Sequence, residues 1–228
     1  MQQSAFQTCI AGGRMERHRH AAAYAALVLS GGYVEAGDRG RFHARPGQVL
    51  IHGAWESHMD AFSGAGARVL NLPLAGPVGF AAGEVADPDA VARAAERNLA
   101  EAAALLRETI RPLDAALDDW PDLLAATLRR DPDAALEVWA EAAGLAPATV
   151  SRGFRQAFGT SPRRYRAEQR ALKAAEALVI RADALAALAA DLGFVDQAHM
   201  TRAVSALTGL APGRLRSSRY NPGPAASG

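Results

Sequence analysis

Apolar and polar positions divide the 228-residue chain into three sections with different periods. Over residues 6–80, short runs such as Tyr24–Leu29, Gly32–Glu35, Gln48–His52 and Arg68–Leu72 are separated by Gly31-Gly32, Gly37-Asp38, Pro46-Gly47 and Gly64-Ala65-Gly66. Short runs with glycine-rich punctuation predict the strands of a small barrel or sandwich. Over residues 88–130 the period lengthens. Val91, Ala95, Leu99, Ala102, Leu106, Thr109/Ile110 and Leu113 recur at steps of three and four, which predicts one apolar helical stripe. Pro112 should end or kink that helix, and Pro121 opens another short one. The stripe can pack on the barrel or pair with a second copy of itself, and packing within the chain is the favoured expectation. Asp131-Pro132 predicts an N-cap followed by proline at the first helical position, with helix continuing to about residue 216. Pro, Gly and Ser predict a disordered tail from Ser217 to Gly228.

The helical section is a degenerate repeat. Val150, Arg152, Phe154, Gly159, Pro162, Tyr165 and Arg166 are answered fifty positions later by Met200, Arg202, Val204, Gly209, Pro212, Leu215 and Arg216. Ala140 and Gly144 are answered at an offset of forty-nine by Ala189 and Gly193. Each copy reads as a helix-turn-helix. In the first, Leu136–Ala143 supports, Gly144 turns, and the helix from Pro147 turns Val150 and Phe154 inward. Ala148, Thr149, Ser151, Arg152 and Arg155 then face outward. In the second, Leu185–Leu192 supports and Gly193-Phe194 turns. Asp196 caps a helix that presents Gln197, Ala198, Thr201 and Arg202, with Met200 and Val204 inward. Arginine pairs with guanine edges through two hydrogen bonds, while Ser, Thr and Ala reach polar edges or thymine methyls. Between the copies a helix from about Pro162 to Val179 carries Arg163, Arg164, Arg166, Arg170 and Lys173, which suit phosphate contacts. Two reading helices on one rod suit adjacent major grooves about 34 Å apart.

Composition sharpens this picture in two places. The net charge of +1 hides a partition of +2 over residues 1–80, −6 over 81–134 and +5 over 135–228. The basic excess thus coincides with the repeat, as a phosphate-facing surface requires. A single cysteine, Cys9, cannot form an internal disulfide, which suits a reducing cytoplasm. No apolar run approaches membrane-spanning length, and no signal-peptide core is present. A nucleophile triad, a phosphate loop and a dinucleotide fingerprint are all missing from the motifs.

The stretch Gly193-Phe194-Val195-Asp196-Gln197-Ala198-His199-Met200-Thr201-Arg202, closed by Gly209-Leu210-Ala211-Pro212, resembles the signature of AraC/XylS-type transcription regulators. So does Val150-Ser151-Arg152-Gly153-Phe154 followed by Gly159-Thr160-Ser161-Pro162-Arg163-Arg164-Tyr165. The resemblance spans about residues 131–216. It implies a seven-helix DNA-binding domain with Ala148, Ser151, Arg152, Gln197, Ala198, Thr201 and Arg202 facing bases. Ala146 stands where the family usually has a capping Ser, and Val204 and Leu215 replace aromatics. These departures bear on stability rather than on DNA-contacting residues.

Five of the six histidines precede residue 60. His18 and His20 alternate across one residue, so a strand turns both to one side. With Gly12, Tyr24 and Gly31 they are similar to the first cupin motif, Tyr24 standing where metal-binding cupins usually carry Glu. Pro46-Gly47 followed by His58 resembles the second motif. Convergence of His18, His20 and His58 in a barrel mouth would suit a ligand or a divalent metal, with His52 or His43 as further ligands. His199 is expected to be structural.

The expected fold is α+β in two domains, a small cupin-like β-barrel plus helices followed by an all-α double helix-turn-helix. The expected sections are 1–82 for effector sensing, 83–130 as a helical linker or dimerisation segment, 131–216 for DNA binding, and 217–228 as the tail. The function this implies is a non-enzymatic, sequence-specific transcription regulator responsive to a small molecule. Its partners are double-stranded promoter DNA, the effector, the transcription machinery and, by the family's habit, a second copy of itself. The alternative is a metal-dependent cupin enzyme with a helical oligomerisation module, which would need bound metal and turnover.

Overall fold

The computed structural model of the chain describes residues 5–9, 11–114 and 116–218. It divides into two compact units, one built mainly from the section up to Asp122 and the other mainly from Leu123 onward.

The first unit is an antiparallel sheet of eight strands among the described residues: β1 (Phe6–Cys9), β2 (Arg14–Arg19), β3 (Tyr24–Gly37), β4 (Gly40–Ala44), β5 (Gln48–His52), β6 (Ser57–Pro73), β7 (Ala82–Glu84) and β8 (Arg111–Pro112). The two long strands β3 and β6 pair along their whole lengths and organise the rest. Their Tyr24–Val28 and Leu70–Pro73 ends sit in one leaf with β1, β5, β7 and β8. Their opposite ends form a second leaf with β2 and β4. Gly31-Gly32 and Gly64-Ala65-Gly66, expected as turns, instead lie inside β3 and β6. The β3–β6 register shifts between Val28 and Ser30 and again between Gly31 and Tyr33. A β-carbon on Gly31, whose φ is +72°, would stand 2.0 Å from the carbonyl oxygen of Gly66. The two backbones therefore meet where side chains are absent, and the sheet folds over itself there as at a bulge.

Alternation sorts the strand side chains to two faces. Ala25, Leu27, Val49, Ile51, Leu70 and Leu72 face outward and form one core with Val91, Ala94, Ala95, Ala102 and Leu106 of helices α1 (Pro88–Arg97) and α2 (Leu99–Thr109). The stripe predicted over this section is thus laid on the sheet within the chain. Each fully buried large side chain there contributes about 1.5–3 kcal/mol. The helix is not continuous as expected. Asn98 ends α1 with an extended backbone, and its Oδ1 accepts from Ala100 N–H at 2.8 Å and Glu101 N–H at 3.4 Å to start α2. Past Ile110 the chain becomes strand β8, so Pro112 stands on a sheet edge, where its missing N–H costs nothing.

From Trp120 onward the described residues form seven helices: α3 (Trp120–Arg130), α4 (Leu136–Ala142), α5 (Pro147–Phe158), α6 (Pro162–Ile180), α7 (Leu185–Asp191), α8 (Gln197–Thr208) and α9 (Pro212–Ser218). Asp131-Pro132 does not begin a helix. Asp131 Oδ1 accepts from Asp133 N–H at 2.9 Å in a turn, and α4 starts at Leu136 with no side-chain cap. Helix α6 packs against α8 and α9, with Leu172, Leu178, Met200, Val204 and Leu215 buried, and its Tyr165 ring lies edge-on to Phe154 of α5 at 5.3 Å. Ser217 and Ser218, expected to open the tail, instead end α9, and the rest of the expected tail lies outside the described residues.

Replacing Gly31 by Ala should lower the stability of the sheet unit by at least about 2 kcal/mol, combining a left-handed backbone with a clash against main chain. Gly64→Ala, where an added β-carbon meets nothing within 4 Å, should change it by less than about 0.5 kcal/mol. Denaturant unfolding of the two variants checks the contrast.

Candidate functional site

The duplicated motif reappears in the backbone itself. In the first copy Gly144 N–H donates to Glu141 O at 3.0 Å and Leu145 N–H to Ala140 O at 2.9 Å. In the second, forty-nine residues on, Gly193 N–H donates to Ala190 O at 3.1 Å and Phe194 N–H to Ala189 O at 2.9 Å. Both glycines are left-handed, with φ of 66° and 71°. This pairing of hydrogen bonds closes a helix C-terminus and turns the chain toward the next helix.

Burial follows the same register. Val150 and Phe154 of α5 are buried, as are Met200 and Val204 of α8. Ala148, Ser151, Arg152 and Arg155 are exposed on α5 and Gln197, Ala198 and Arg202 on α8, while Thr149 and Thr201 are half-buried. Arg152, Arg155 and Arg202 have no ion-pair partner among the described residues. Asp196 caps α8, its carboxylate accepting from His199 N–H at 2.6 Å. The His199 ring sits edge-on to Phe194, 5.3 Å between centroids, which makes it a packing residue. The first copy has Ala146 at the place of Asp196 and so starts α5 without a side-chain acceptor of this kind.

The basic residues of α6 divide. Arg163 and Arg164 are exposed, Arg164 pairing with Glu168 one turn on at 3.0 Å. Arg166 is half-buried. Arg170 is ion-paired to Asp133 and lies 6.0 Å over the Phe194 ring, while Lys173 donates to the carbonyl of Arg130 at 3.1 Å. Arg170 and Lys173, expected among the phosphate contacts, are thus engaged in holding the helical unit together.

In the sheet unit the two leaves enclose a cavity of about 480 Å³. His18, His20, His52 and His58 line it together with Tyr24, Glu35 and Asp60. Strand register explains the convergence: His18 stands opposite His58 between β2 and β6, Tyr24 opposite His52 between β3 and β5, and Glu35 opposite Asp60 between β3 and β6. His18, His20 and His58, singled out from sequence, do come together, with ring centroids 4.3–5.6 Å apart. His52 joins them, 4.4 Å from His58. His43 does not; it is exposed on β4 because it falls on the other face of that strand. Glu35 was missed. Its signal was the period of two shared with Tyr33, which puts a carboxylate on the inward face of an apolar strand.

Electrostatics keep this lining largely uncharged. Burial, and then neighbouring His20, Arg39 and His18, push His52 down to about 3. Burial lowers His58 further, with His52, His18 and His20 adding to it. Burial followed by Asp60 and Glu56 raises the Glu35 carboxyl well above its ordinary range, and burial lifts Asp60 to about 7. Tyr24, where a cupin-type Glu would stand, stacks on His52 at 4.3 Å and reaches His58 Nε2 through its hydroxyl at 3.3 Å. The backbone of the neighbouring loop is pinned. Trp55, left-handed at φ 61°, donates its N–H to His20 O at 2.7 Å, and Glu56 accepts from Arg39 Nε at 2.8 Å. Four imidazoles and a carboxylate match the donor chemistry of a first-row transition ion, and the unpartnered Nδ1 of buried His58 is consistent with that fit.

Residues 139–218 match a family described as a helix-turn-helix domain. The C-terminal domain of AraT, a response regulator from Geobacillus stearothermophilus, is similar at 24% identity and a TM-score of 0.41, over 45% of this chain and 87% of that one. A transcriptional regulator of the AraC-type DNA-binding class from Chromobacterium violaceum is similar at 20% identity and a TM-score of 0.41, over 44% and 91%. ToxT from Vibrio cholerae, solved with an unsaturated fatty acid bound, is similar at 8% identity and a TM-score of 0.42, over 92% and 94%. No curated protein matches the chain.

Ala146→Ser should supply the missing acceptor at the start of α5 and raise the stability of the helical unit by about 1 kcal/mol. Thermal melting of the variant beside the parent chain measures it.

Proposed function

We propose that this chain is a DNA-binding transcription regulator of the AraC type, that its helix-turn-helix domain over residues 139–218 reads two adjacent major-groove segments, and that it takes its signal from a small molecule bound between the leaves of its sheet. The observation that carries the reading is the duplication: two equivalent turns, two equivalent buried pairs, and an arginine exposed beside the buried pair in each copy.

Helices α5 and α8 are the reading elements. Arg152 and Arg202 suit guanine edges, Gln197 suits adenine, and Ala148, Ala198, Ser151 and Thr201 suit smaller contacts to polar edges or thymine methyls. Thr149 and Arg155 flank them. Arg163, Arg164 and Arg166 at the start of α6 suit phosphates. Arg164 keeps its guanidinium at the surface while pairing with the half-buried Glu168, which leaves it within reach of a phosphate. A second copy on a neighbouring half-site and contact with the transcription machinery complete the reading, in a cytoplasmic setting.

The cavity supports the sensing half. Its volume falls within the range of small-molecule sites, and it combines aromatic walls with a few convergent polar groups. A ligand that prefers one state of the sheet unit shifts the DNA-binding equilibrium by its difference in affinity for the two states.

Binding of the full chain to its own upstream promoter region, measured across a range of salt and against a panel of metabolites, tests the proposal. Salt-sensitive, sequence-selective binding that a metabolite alters is expected; binding equal to that on random DNA overturns it. Arg152→Ala and Arg202→Ala should each weaken specific binding by about 1–3 kcal/mol and relax preference at one part of the site, whereas Arg163→Ala should weaken all sequences alike. Footprinting and competition with base-substituted sites distinguish the two patterns.

A further inference from the structure

Two neighbouring rungs of the β3–β6 ladder face the cavity. Tyr33 stands opposite Phe62, and two residues along Glu35 stands opposite Asp60. The first rung is aromatic, its ring centroids 5.4 Å apart. The second sets two buried carboxyl groups directly across from each other, a pairing that destabilises a sheet when nothing positive lies between them. The Asp60 side chain is only 9% exposed, its Oδ1 has no hydrogen-bond partner, and its Oδ2 stands 3.9 Å from His58 Nε2. A buried acceptor left in this way carries its full desolvation cost.

The cations of the chain are engaged elsewhere. Arg17 is held by Asp38 at 2.5 Å and Arg39 by Glu56 at 2.8 Å. No arginine or lysine among the described residues lines the cavity. A metal ion would leave Asp60 as it is. The donors close enough together to hold one are His18 with His20 and His58, or Glu35 with His52 and His58, and neither group includes Asp60. An anion would meet two carboxylates, and a neutral ligand would donate hydrogen bonds without offsetting their charge. An organic ammonium ion does both, because its N–H groups donate to carboxylate oxygen and its charge favours the ionised forms. Beside the carboxylates, Tyr33 and Phe62 offer aromatic faces that attract a cation and pack against a carbon body. Phe6 and Val69 extend that apolar wall.

We propose that the effector is a small organic amine, bound as its ammonium ion with its N–H donors on Glu35 and Asp60 and its carbon body against Tyr33 and Phe62. The regulatory meaning of this ligand class rests on the sensing role proposed above.

The test is calorimetric titration of the full chain, with a chelator present, against phenethylamine, hexylamine, phenethyl alcohol and phenylacetate. At least one amine should bind, about 10-fold or more tighter than the alcohol and the acid. A preference for phenethylamine assigns a ring to the carbon body and one for hexylamine an alkyl chain; both uphold the class. Asp60→Asn and Glu35→Gln, which keep the shape and remove the charge, should each weaken amine binding by about 10- to 100-fold. His43→Ala, outside the cavity, should leave it unchanged. Failure of both amines to bind overturns the proposal, as does binding of the alcohol or the acid as tight as that of the amines. So does amine binding that both carboxamide variants leave intact while circular dichroism shows them folded. Should a variant not fold, the comparison of amine with alcohol on the parent chain decides by itself. Promoter affinity is then measured with and without the amine. Amine binding that leaves that affinity unchanged upholds the ligand class and overturns the sensing role. A response of the promoter complex to some other metabolite, with no amine bound, overturns the ligand class and leaves the sensing role standing.

Discussion

The approach of the Gly31 backbone to the carbonyl of Gly66 is the contact on which the sheet unit depends. Two long antiparallel strands normally twist as one surface. Here they fold over at a point where no side chain intervenes. The consequence reaches well beyond the bend. One end of β3 turns Tyr24 and Ala26 to the inside and the other turns Tyr33 and Glu35 there, so the two leaves face each other across a lined space. The opposite face of the first leaf is left apolar and is covered by α1 and α2. Without the fold-over, Glu35 and His52 would belong to separate surfaces.

The inside of that space runs against the usual economy of a protein core. Buried imidazoles and carboxylates are costly, and the shifts of His52, Glu35 and Asp60 toward their neutral forms record that cost. The seam between sheet and helices, built from aliphatic side chains without polar atoms, offsets it.

The helical unit applies one local solution twice. In each copy a left-handed glycine closes a short helix, and the next helix buries two side chains four residues apart. Burial of those pairs fixes the rotation of α5 and α8, and with it the direction of Arg152 and Arg202. The copies differ in how firmly the second helix begins, since Asp196 accepts a backbone N–H where Ala146 cannot. Arg170 and Lys173 hold the unit from within through Asp133 and the carbonyl of Arg130.

Local rules were enough to read much of this in the sequence. Periodicity located the strands and helices, the fifty-residue offset exposed the duplication, and the alternation of His18 and His20 placed both on one side of a strand. These features depend on residues close in the chain, where side-chain direction follows from backbone period. The rest was decided at distance. Gly31-Gly32 reads as a turn until Gly66 is known to lie against it, and Asn98 becomes a helix break only by capping α2. Whether Arg170 faces phosphate or Asp133 depends on a residue thirty-seven positions earlier. Above all, the company Glu35 keeps is set by strand register, a pairing between segments that no local pattern encodes. Helical period alone was enough to tell which sides of α5 and α8 turn outward. Which groups meet inside the sheet was left to the folded chain, because that depends on where two distant backbones can touch.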